Sequence, residues 1–194
     1  MNLDYPSFWK NASSKRKRIY LIILFFVVSV IVTIAGVFVP LSSQQSQTLY
    51  NQLNQTTKQG SVQLGESIFL NNFPLCLGMF IPLFGAAFGL FVMFDTGIAL
   101  GAELRVESAP NFQGPTQALT PATAIFALTL IGVIFGLEYV SYSTGMSESI
   151  WLFRRITQRR WRHEIKSLVI LIGIVAVLLT VGAVVETLAI KAGF

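Results

Sequence analysis

The sequence predicts an all-α protein, a polytopic bundle of transmembrane helices with about five hydrophobic passes. Three observations predict this fold class. Hydrophobic residues make up 53% of the 194 residues and charged residues only 12%, whereas an average soluble domain has about 25% charged residues. The mean hydropathy is +0.64. Several charge-free runs also reach the roughly 20 residues that a helix needs to cross the hydrocarbon layer.

The basic residues indicate the orientation in the membrane. Eleven of the fourteen Lys and Arg residues fall in two short clusters beside apolar runs. Because basic residues beside spanning helices stay in the cytoplasm, we expect both clusters there. A nucleic-acid partner is not expected, since the composition supplies no folded polar surface to carry the charge. The first cluster is Lys10, Lys15, Arg16, Lys17 and Arg18, and the second is Arg154, Arg155, Arg159, Arg160, Arg162 and Lys166.

The N-terminal part divides into a tail, a first helix and a polar segment. Residues 1–18 are predicted to be a cytoplasmic basic N-terminus, and residues 19–194 a single transmembrane domain. The run 19–40 has no charge, and it is longer than the apolar stretch of a signal peptide, so we predict a retained helix. Residues 42–65 are rich in Gln, Asn, Ser and Thr and are predicted to be an outside loop.

The segment 67–104 is too long for one crossing and is interrupted by Pro74 and Pro82. Each proline removes a backbone donor and favours a kink or a break. We predict a hairpin of two helices, 67–81 and 83–104, hinged near Pro82. The alternatives are a re-entrant first half or a single kinked crossing, which would place the second basic cluster outside. Irregular backbone at the hinge would need protein around it.

Two further helices complete the predicted bundle. A charge-free run over 118–137 continues as a weaker apolar pattern to residue 153, and we predict one helix over 118–153. The last helix is predicted over 167–190. With both basic clusters inside, the first helix leaves the cytoplasm, 118–153 returns and the last helix leaves again. The N-terminus is then cytoplasmic in a multi-pass protein of the plasma membrane.

Glycines at four-residue spacing predict close contacts between helices. Gly85, Gly89, Gly97 and Gly101 fall on nearly one face of their helix, and Gly132 with Gly136 repeats the spacing later. Small residues let another backbone approach closely in lipid. The face serves either internal packing or a dimer interface.

Three carboxylates interrupt or border the apolar runs: Asp95, Glu138 and Glu186. A charge inside the membrane is costly, so such groups usually face the bundle interior or water and have partners. They are interpreted either as structural groups near the interfaces or as a proton or cation relay.

The second basic cluster lies beside Trp151 and Trp161. Tryptophan next to arginine is typical of an anchor at the headgroup level. Anionic lipid is the expected ligand of this cluster, and a cytoplasmic partner is the alternative. The residues expected to make the contact are Arg154, Arg155, Arg159, Arg160 and Arg162.

No catalytic set is found in the sequence. Asp95-Thr96-Gly97 spells the short motif of aspartic proteases, but that chemistry needs two such carboxylates and the triplet has no second copy. The only histidine, His163, lies in the basic segment, and Cys76 is the only cysteine. We expect no enzyme activity, no metal site and no cofactor.

Four blocks of the sequence carry a family resemblance: Ile68-Phe69-Leu70-Asn71-Asn72, Thr96-Gly97-Ile98-Ala99-Leu100-Gly101, residues 136–145, and Val185-Glu186-Thr187. They resemble the stage II sporulation protein M family, small integral membrane proteins of bacteria and archaea. At two positions this chain departs from the family pattern, with Thr96 in place of an asparagine and Phe135 in place of a histidine. The resemblance implies a multi-pass protein that works inside a larger membrane assembly.

Two functions follow from these patterns. The first is a non-enzymatic integral membrane subunit or scaffold of a larger complex, whose partners are the lipid bilayer and other integral membrane proteins or further copies of the chain. The alternative is a small transporter or channel protomer that uses Glu138 and Glu186 as a proton or ion relay.

Overall fold

The described residues fold into six α-helices and one short 3₁₀ turn. The computed structural model describes Trp9 and residues 11–57, 60–108 and 121–192, and no strand occurs among them, so the all-α prediction is confirmed. Parts of two predicted segments, 1–8 with Lys10 and 118–120, and the predicted loop residue Lys58 lie outside this description. The helices are α1 (Ser14–Val37), α2 (Ser43–Thr57), α3 (Ser61–Gly78), α4 (Phe84–Glu107), α5 (Pro121–Thr157) and α6 (Ile165–Ala192), with the 3₁₀ turn at Trp161–Glu164.

Three of the described helices are long and apolar enough to cross a membrane: α1, α4, and α6 together with the turn before it. Large apolar side chains on these helices face outward, as shown by Ile31 at 60% exposed, Phe91 at 66% and Val177 at 63%. Exposed apolar surface on this scale is unfavourable in water and is expected in hydrocarbon. These features suggest a multi-pass membrane protein in contact with the bilayer.

Helix α1 begins within the basic cluster, five residues before the predicted start. Ser13 precedes the first turn, and its Oγ accepts a hydrogen bond from the Arg16 N–H at 3.4 Å. A serine at this position satisfies a backbone donor that has no partner within the helix. Residues 14–18 therefore belong to the first helix and not to a separate tail.

The prediction of a loop over 42–65 was wrong, because α2 and the start of α3 occupy most of it. Ser42 and Gln45 form a reciprocal cap at the start of α2. The Ser42 N–H donates to Gln45 Oε1 at 2.9 Å, and the Gln45 N–H donates to Ser42 Oγ at 3.3 Å. This reciprocal pairing is a signal for the start of a helix, whether the helix that follows is polar or apolar. The polar helix packs across the end of α4.

The segment predicted as a hairpin divides into α3 and α4, joined by residues 79–83. Ser149 of α5 satisfies the irregular backbone at this turn. Its Oγ donates to the Ile81 carbonyl at 2.8 Å and accepts from the Ala86 N–H at 3.3 Å. Leu83 adopts a positive φ of 67°, a conformation that is unfavourable for a bulky residue, and its N–H donates to the Ser149 carbonyl of α5 at 3.4 Å.

Contacts between helices give them alternating directions. Thr33 on α1 bonds to Met93 on α4, and Arg105 further along α4 reaches Val37, so these two helices run in parallel. Bonds from Tyr139 to Thr33 and from Ser147 to Arg18 set α5 antiparallel to α1.

The remaining two helices follow the same alternation. Asn72 and Cys76 of α3 bond to Glu138 and Ser141 of α5, so α3 runs parallel to α5. Ser167 at the start of α6 receives a bond from Arg18. Both basic clusters therefore lie at the same end of the molecule, which we call the basic end.

Candidate functional site

The most highly charged buried site lies at the basic end, where α1, α5 and the turn before α6 meet. Arg18 is at its centre. Its Nε lies 3.2 Å from Glu148 Oε1, its Nη2 pairs with Glu164 Oε2, and its Nη1 donates to Ser167 Oγ at 2.6 Å. Glu148 is fully buried. The Arg18 guanidinium therefore connects α1 to α5, to the 3₁₀ turn and to the start of α6.

A second arginine and a tryptophan complete this site. Arg155 Nε lies 2.8 Å from Glu164 Oε1. The guanidinium carbons of Arg18 and Arg155 lie 5.0 and 4.6 Å from the centre of the Trp151 ring, close enough for cation–π attraction. We call these six residues the basic-end cluster: Arg18, Glu148, Trp151, Arg155, Glu164 and Ser167.

The chemistry of the basic-end cluster is structural. It contains two guanidinium groups and two carboxylates, so its charges balance inside the protein. Buried charges are tolerated when they are paired, and Glu148 is held by its ion pair with Arg18, with no hydrogen bond to either carboxylate oxygen from the described residues. Trp151 is only 4% exposed, so its predicted role as a headgroup anchor was wrong. Trp161 is 44% exposed and is free to take that role.

The five arginines predicted to bind lipid or a partner divide into two groups. Arg155 is engaged in the basic-end cluster. The other four are exposed at the basic end, on the last turn of α5 and the segment that leads to α6. They are Arg154, Arg159, Arg160 and Arg162.

A second polar contact joins α3 to α5 further from the basic end. Asn72 Nδ2 donates to Glu138 Oε1 at 2.6 Å. Glu138 and Glu186 lie within electrostatic range of each other, so two of the three predicted carboxylates belong to the same part of the bundle. Asn72, which sequence reasoning did not single out as a site residue, supplies the donor.

Asp95 lies apart from the other two carboxylates. It is exposed on α4, on a different face from Gly97. No hydrogen bond or ion pair joins its carboxylate to the described residues.

The predicted glycine ladder on α4 packs internally. A Cβ added at Gly97 would lie 2.1 Å from the Thr33 carbonyl oxygen, and one at Gly36 would lie 2.3 Å from that of Phe94. Only glycine permits this approach of α1 to α4. Gly101 meets Val37 of α1. The first two glycines of the ladder meet other parts of the chain, Gly85 the Met79 backbone and Gly89 the Met146 side chain.

Gly132 and Gly136 behave differently. A Cβ at either position would find nothing within 4 Å among the described residues. Their face of α5 also carries exposed Leu128 and Val133. The spacing indicates either internal packing or a dimer interface, and internal packing does not apply to Gly132 and Gly136.

Two further polar groups that the sequence did not indicate connect the helices. Arg105 Nη2 donates to the carbonyls of Val37 at 3.1 Å and Val39 at 2.8 Å, and so satisfies the end of α1. Tyr139 donates to Thr33 Oγ1 at 2.7 Å, and Thr33 donates to the Met93 carbonyl at 3.1 Å. For Arg105, the only signal in the sequence is that a basic residue stands near the end of an apolar run.

No group of three or more His, Cys, Asp or Glu side chains that could hold a metal ion occurs in the described part of the chain.

Comparisons with protein-family models, with curated proteins and with solved structures find no match.

Proposed function

We propose that this chain is a non-enzymatic integral membrane subunit or scaffold of a larger membrane complex. The observation that carries the proposal is the open face of α5 at Gly132 and Gly136. Elsewhere in the same molecule the four-residue glycine spacing brings a second helix into backbone contact, as Gly97 does with α1. A face of the same kind without a neighbour is suited to a helix from another chain.

The use of the charged side chains also supports this proposal. In the basic-end cluster Arg18, Arg155, Glu148 and Glu164 neutralise one another, so they hold helices together instead of meeting a substrate. The resemblance to the stage II sporulation protein M family points the same way, because it implies a protein that works within a membrane assembly.

The proposed arrangement in the membrane has five crossings, by α1, α3, α4, α5 and α6. It places the N-terminus and the basic end in the cytoplasm. The alternating directions of these helices and the position of both basic clusters at one end support it. The polar α2 then lies at the outer surface, beside the end of α4.

Gentle extraction tests the proposal. The tagged full-length chain is extracted from its own membranes in a mild detergent, and its companions are identified by mass spectrometry. We expect other integral membrane proteins in a fixed ratio, and fewer of them when Gly132 and Gly136 are both changed to Leu. Val177→Leu, at an exposed position of α6, serves as the control. Recovery of the chain as a lone monomer would contradict the proposal.

A small transporter or channel protomer is the second candidate, and the proximity of Glu138 to Glu186 favours it. Two carboxylates within range of each other along an otherwise apolar bundle are typical of ion and proton pathways. The bond from Asn72 to Glu138 weighs against it, since it gives the carboxylate a fixed structural partner.

Ion flux into reconstituted vesicles separates the two candidates. If the carboxylates form a relay, changing Glu138 and Glu186 together to Gln abolishes flux while the amount of protein in the vesicles is unchanged. Flux that is absent in the wild type, or equal in the variant, contradicts the transporter.

A further inference from the structure

Asp95 is an isolated carboxylate on the outward side of a candidate membrane-spanning helix. It lies 11 residues after the start of α4 and 12 before its end, which corresponds to roughly 16 and 18 Å of helix. The contacts of α4 with α1 place Asp95 nearer to the end of α1 than to its start, because Gly97 touches both Thr33 and Gly36, about one turn before that end. A helical side chain tilts toward the start of its own helix, so the short Asp95 side chain points away from the nearer end.

The surroundings of Asp95 are apolar and open. Phe91, one turn before it, is 66% exposed, and Phe84, at the start of the helix, is 56% exposed. The glycines that pack against α1 lie on a different face. We call Phe84, Phe91 and Asp95 the Asp95 face.

Two other carboxylates of the bundle have partners inside the chain. Glu138 accepts a bond from Asn72, and Glu148 pairs with Arg18. Asp95 has no such contact with the described residues. Charged side chains within spanning helices nearly always pair or face the interior of an assembly, and the described residues supply no such group to Asp95.

We propose that the Asp95 face of α4 docks a membrane-spanning helix of another protein, which presents a lysine or arginine side chain at the depth of Asp95. The proposal rests on the proposed function as a subunit, and it names the chemistry of one partner. A cationic group is the complement of a lone carboxylate, and in hydrocarbon the pairing is not weakened by water.

A second copy of this chain does not supply the complement. In the described helices the Lys and Arg side chains stand near helix ends, as Arg18, Arg105 and Lys166 do. Two copies joined through this face would set two carboxylates against each other. The partner is therefore a different protein.

Photo-cross-linking in the native membrane tests the docking. A photoreactive phenylalanine analogue replaces Phe91 in the full chain, and as a control it replaces Val177, which is 63% exposed on α6. We expect position 91, but not 177, to capture a protein whose spanning segment contains Lys or Arg. Asp95→Leu should lower this product about tenfold or more, since it removes the only charge from the face. Asp95→Glu should retain it.

Charge exchange provides the second measurement. Asp95→Lys should abolish the product, and the reciprocal change of the captured cationic residue to Asp should restore it. Asp95 has no described contact, so the amount of chain in the membrane should be unchanged in these variants.

Several results would overturn the proposal: capture of lipid alone, of a second copy, or of a protein without a cationic membrane residue, or a product that Asp95→Leu leaves intact. If companions are co-extracted equally by the wild type and Asp95→Leu, the docking fails and the proposed function stands. If no companion is co-extracted at all, both fail.

Discussion

Arg18 has the largest number of charged and aromatic contacts of any single side chain described above. It lies in the part of the sequence that the positive-inside pattern assigns to the cytoplasm, yet it turns inward to Glu148, Glu164 and Trp151. A basic residue at the beginning of α1 thus contributes to packing as well as to the charge pattern from which orientation is predicted. The exposed Arg16, two residues earlier, contributes only to the charge pattern.

Removing Arg18 should destabilise the fold strongly. Arg18→Met leaves Glu148 fully buried without its counter-ion, and breaking a buried pair in this way costs about 3–5 kcal/mol. Unfolding in detergent micelles, followed by circular dichroism, measures the loss. Arg16→Met is the matched control and should change little. Equal stability of the two variants would show that the basic-end cluster does not hold α1 in place.

Pairing Arg18→Met with Glu148→Gln should recover part of that loss. The double variant no longer buries an unpaired carboxylate, although Glu164 still lacks its arginine. The same unfolding measurement applies. If the double variant is no more stable than Arg18→Met, the unpaired Glu148 carboxylate is not the cause of the lost stability.

At the scale of the elements, close packing and the satisfaction of backbone groups decide how helices meet. The α1–α4 interface depends on glycine, because Gly36 and Gly97 bring two backbones together. The turn between α3 and α4 depends instead on a hydroxyl, since Ser149 bonds to both sides of it.

Gly97→Ala should disrupt the α1–α4 interface, whereas Gly132→Ala should not affect folding. The added methyl at position 97 would lie 2.1 Å from the Thr33 carbonyl oxygen, and overpacking of this kind typically costs about 1–3 kcal/mol. At position 132 the methyl meets no described residue. Thermal unfolding of both variants in the same micelles compares them, and a larger loss at 132 would reverse the assignment of the two faces.

Ser149→Ala should loosen the turn between α3 and α4. It leaves the Ala86 N–H without its acceptor, at a cost of about 1–3 kcal/mol, whereas the Ile81 carbonyl keeps its bond from the Gly85 N–H. Hydrogen exchange at residues 79–86 should become faster. Thr180→Ala is the control, because its hydroxyl bonds only within its own helix, to the Ala176 carbonyl. Unchanged exchange at the turn would show that Ser149 is dispensable there.

At the scale of the whole molecule, the alternating helices make a clear prediction about sidedness. A membrane-impermeant maleimide should label Lys15→Cys and Arg160→Cys from the cytoplasmic side and Gln52→Cys from the outside. All three positions are exposed. The native Cys76 is fully buried and should not react in the intact protein. Labelling of positions 15 and 160 from opposite sides would contradict the five-crossing arrangement.

The sequence indicated the apolar helices because their composition and length are set locally by the hydrocarbon thickness. The same local reasoning missed α2, where a polar composition concealed the cap formed by Ser42 and Gln45. It also could not choose between uses of a glycine pair: Gly97 and Gly132 have similar spacing, and only the position of a neighbouring helix distinguishes them.

The candidate site was harder to predict than the fold. Glu138 and Glu186 were predicted as membrane carboxylates, but their meeting and the role of Asn72 depend on how α3, α5 and α6 pack. Arg18 and Glu164 are separated by 146 positions, and no local pattern connects residues so far apart.

That separation has a consequence for biosynthesis. A ribosome adding about 5–20 residues per second delivers Glu164 many seconds after Arg18 has entered the membrane region. During that interval the Arg18 guanidinium needs a different polar partner, such as phospholipid phosphate or a hydrophilic groove of the insertion machinery. A nascent chain released before Glu148 would lack both carboxylates that neutralise Arg18 in the folded protein, which is a feature that cellular quality control can recognise.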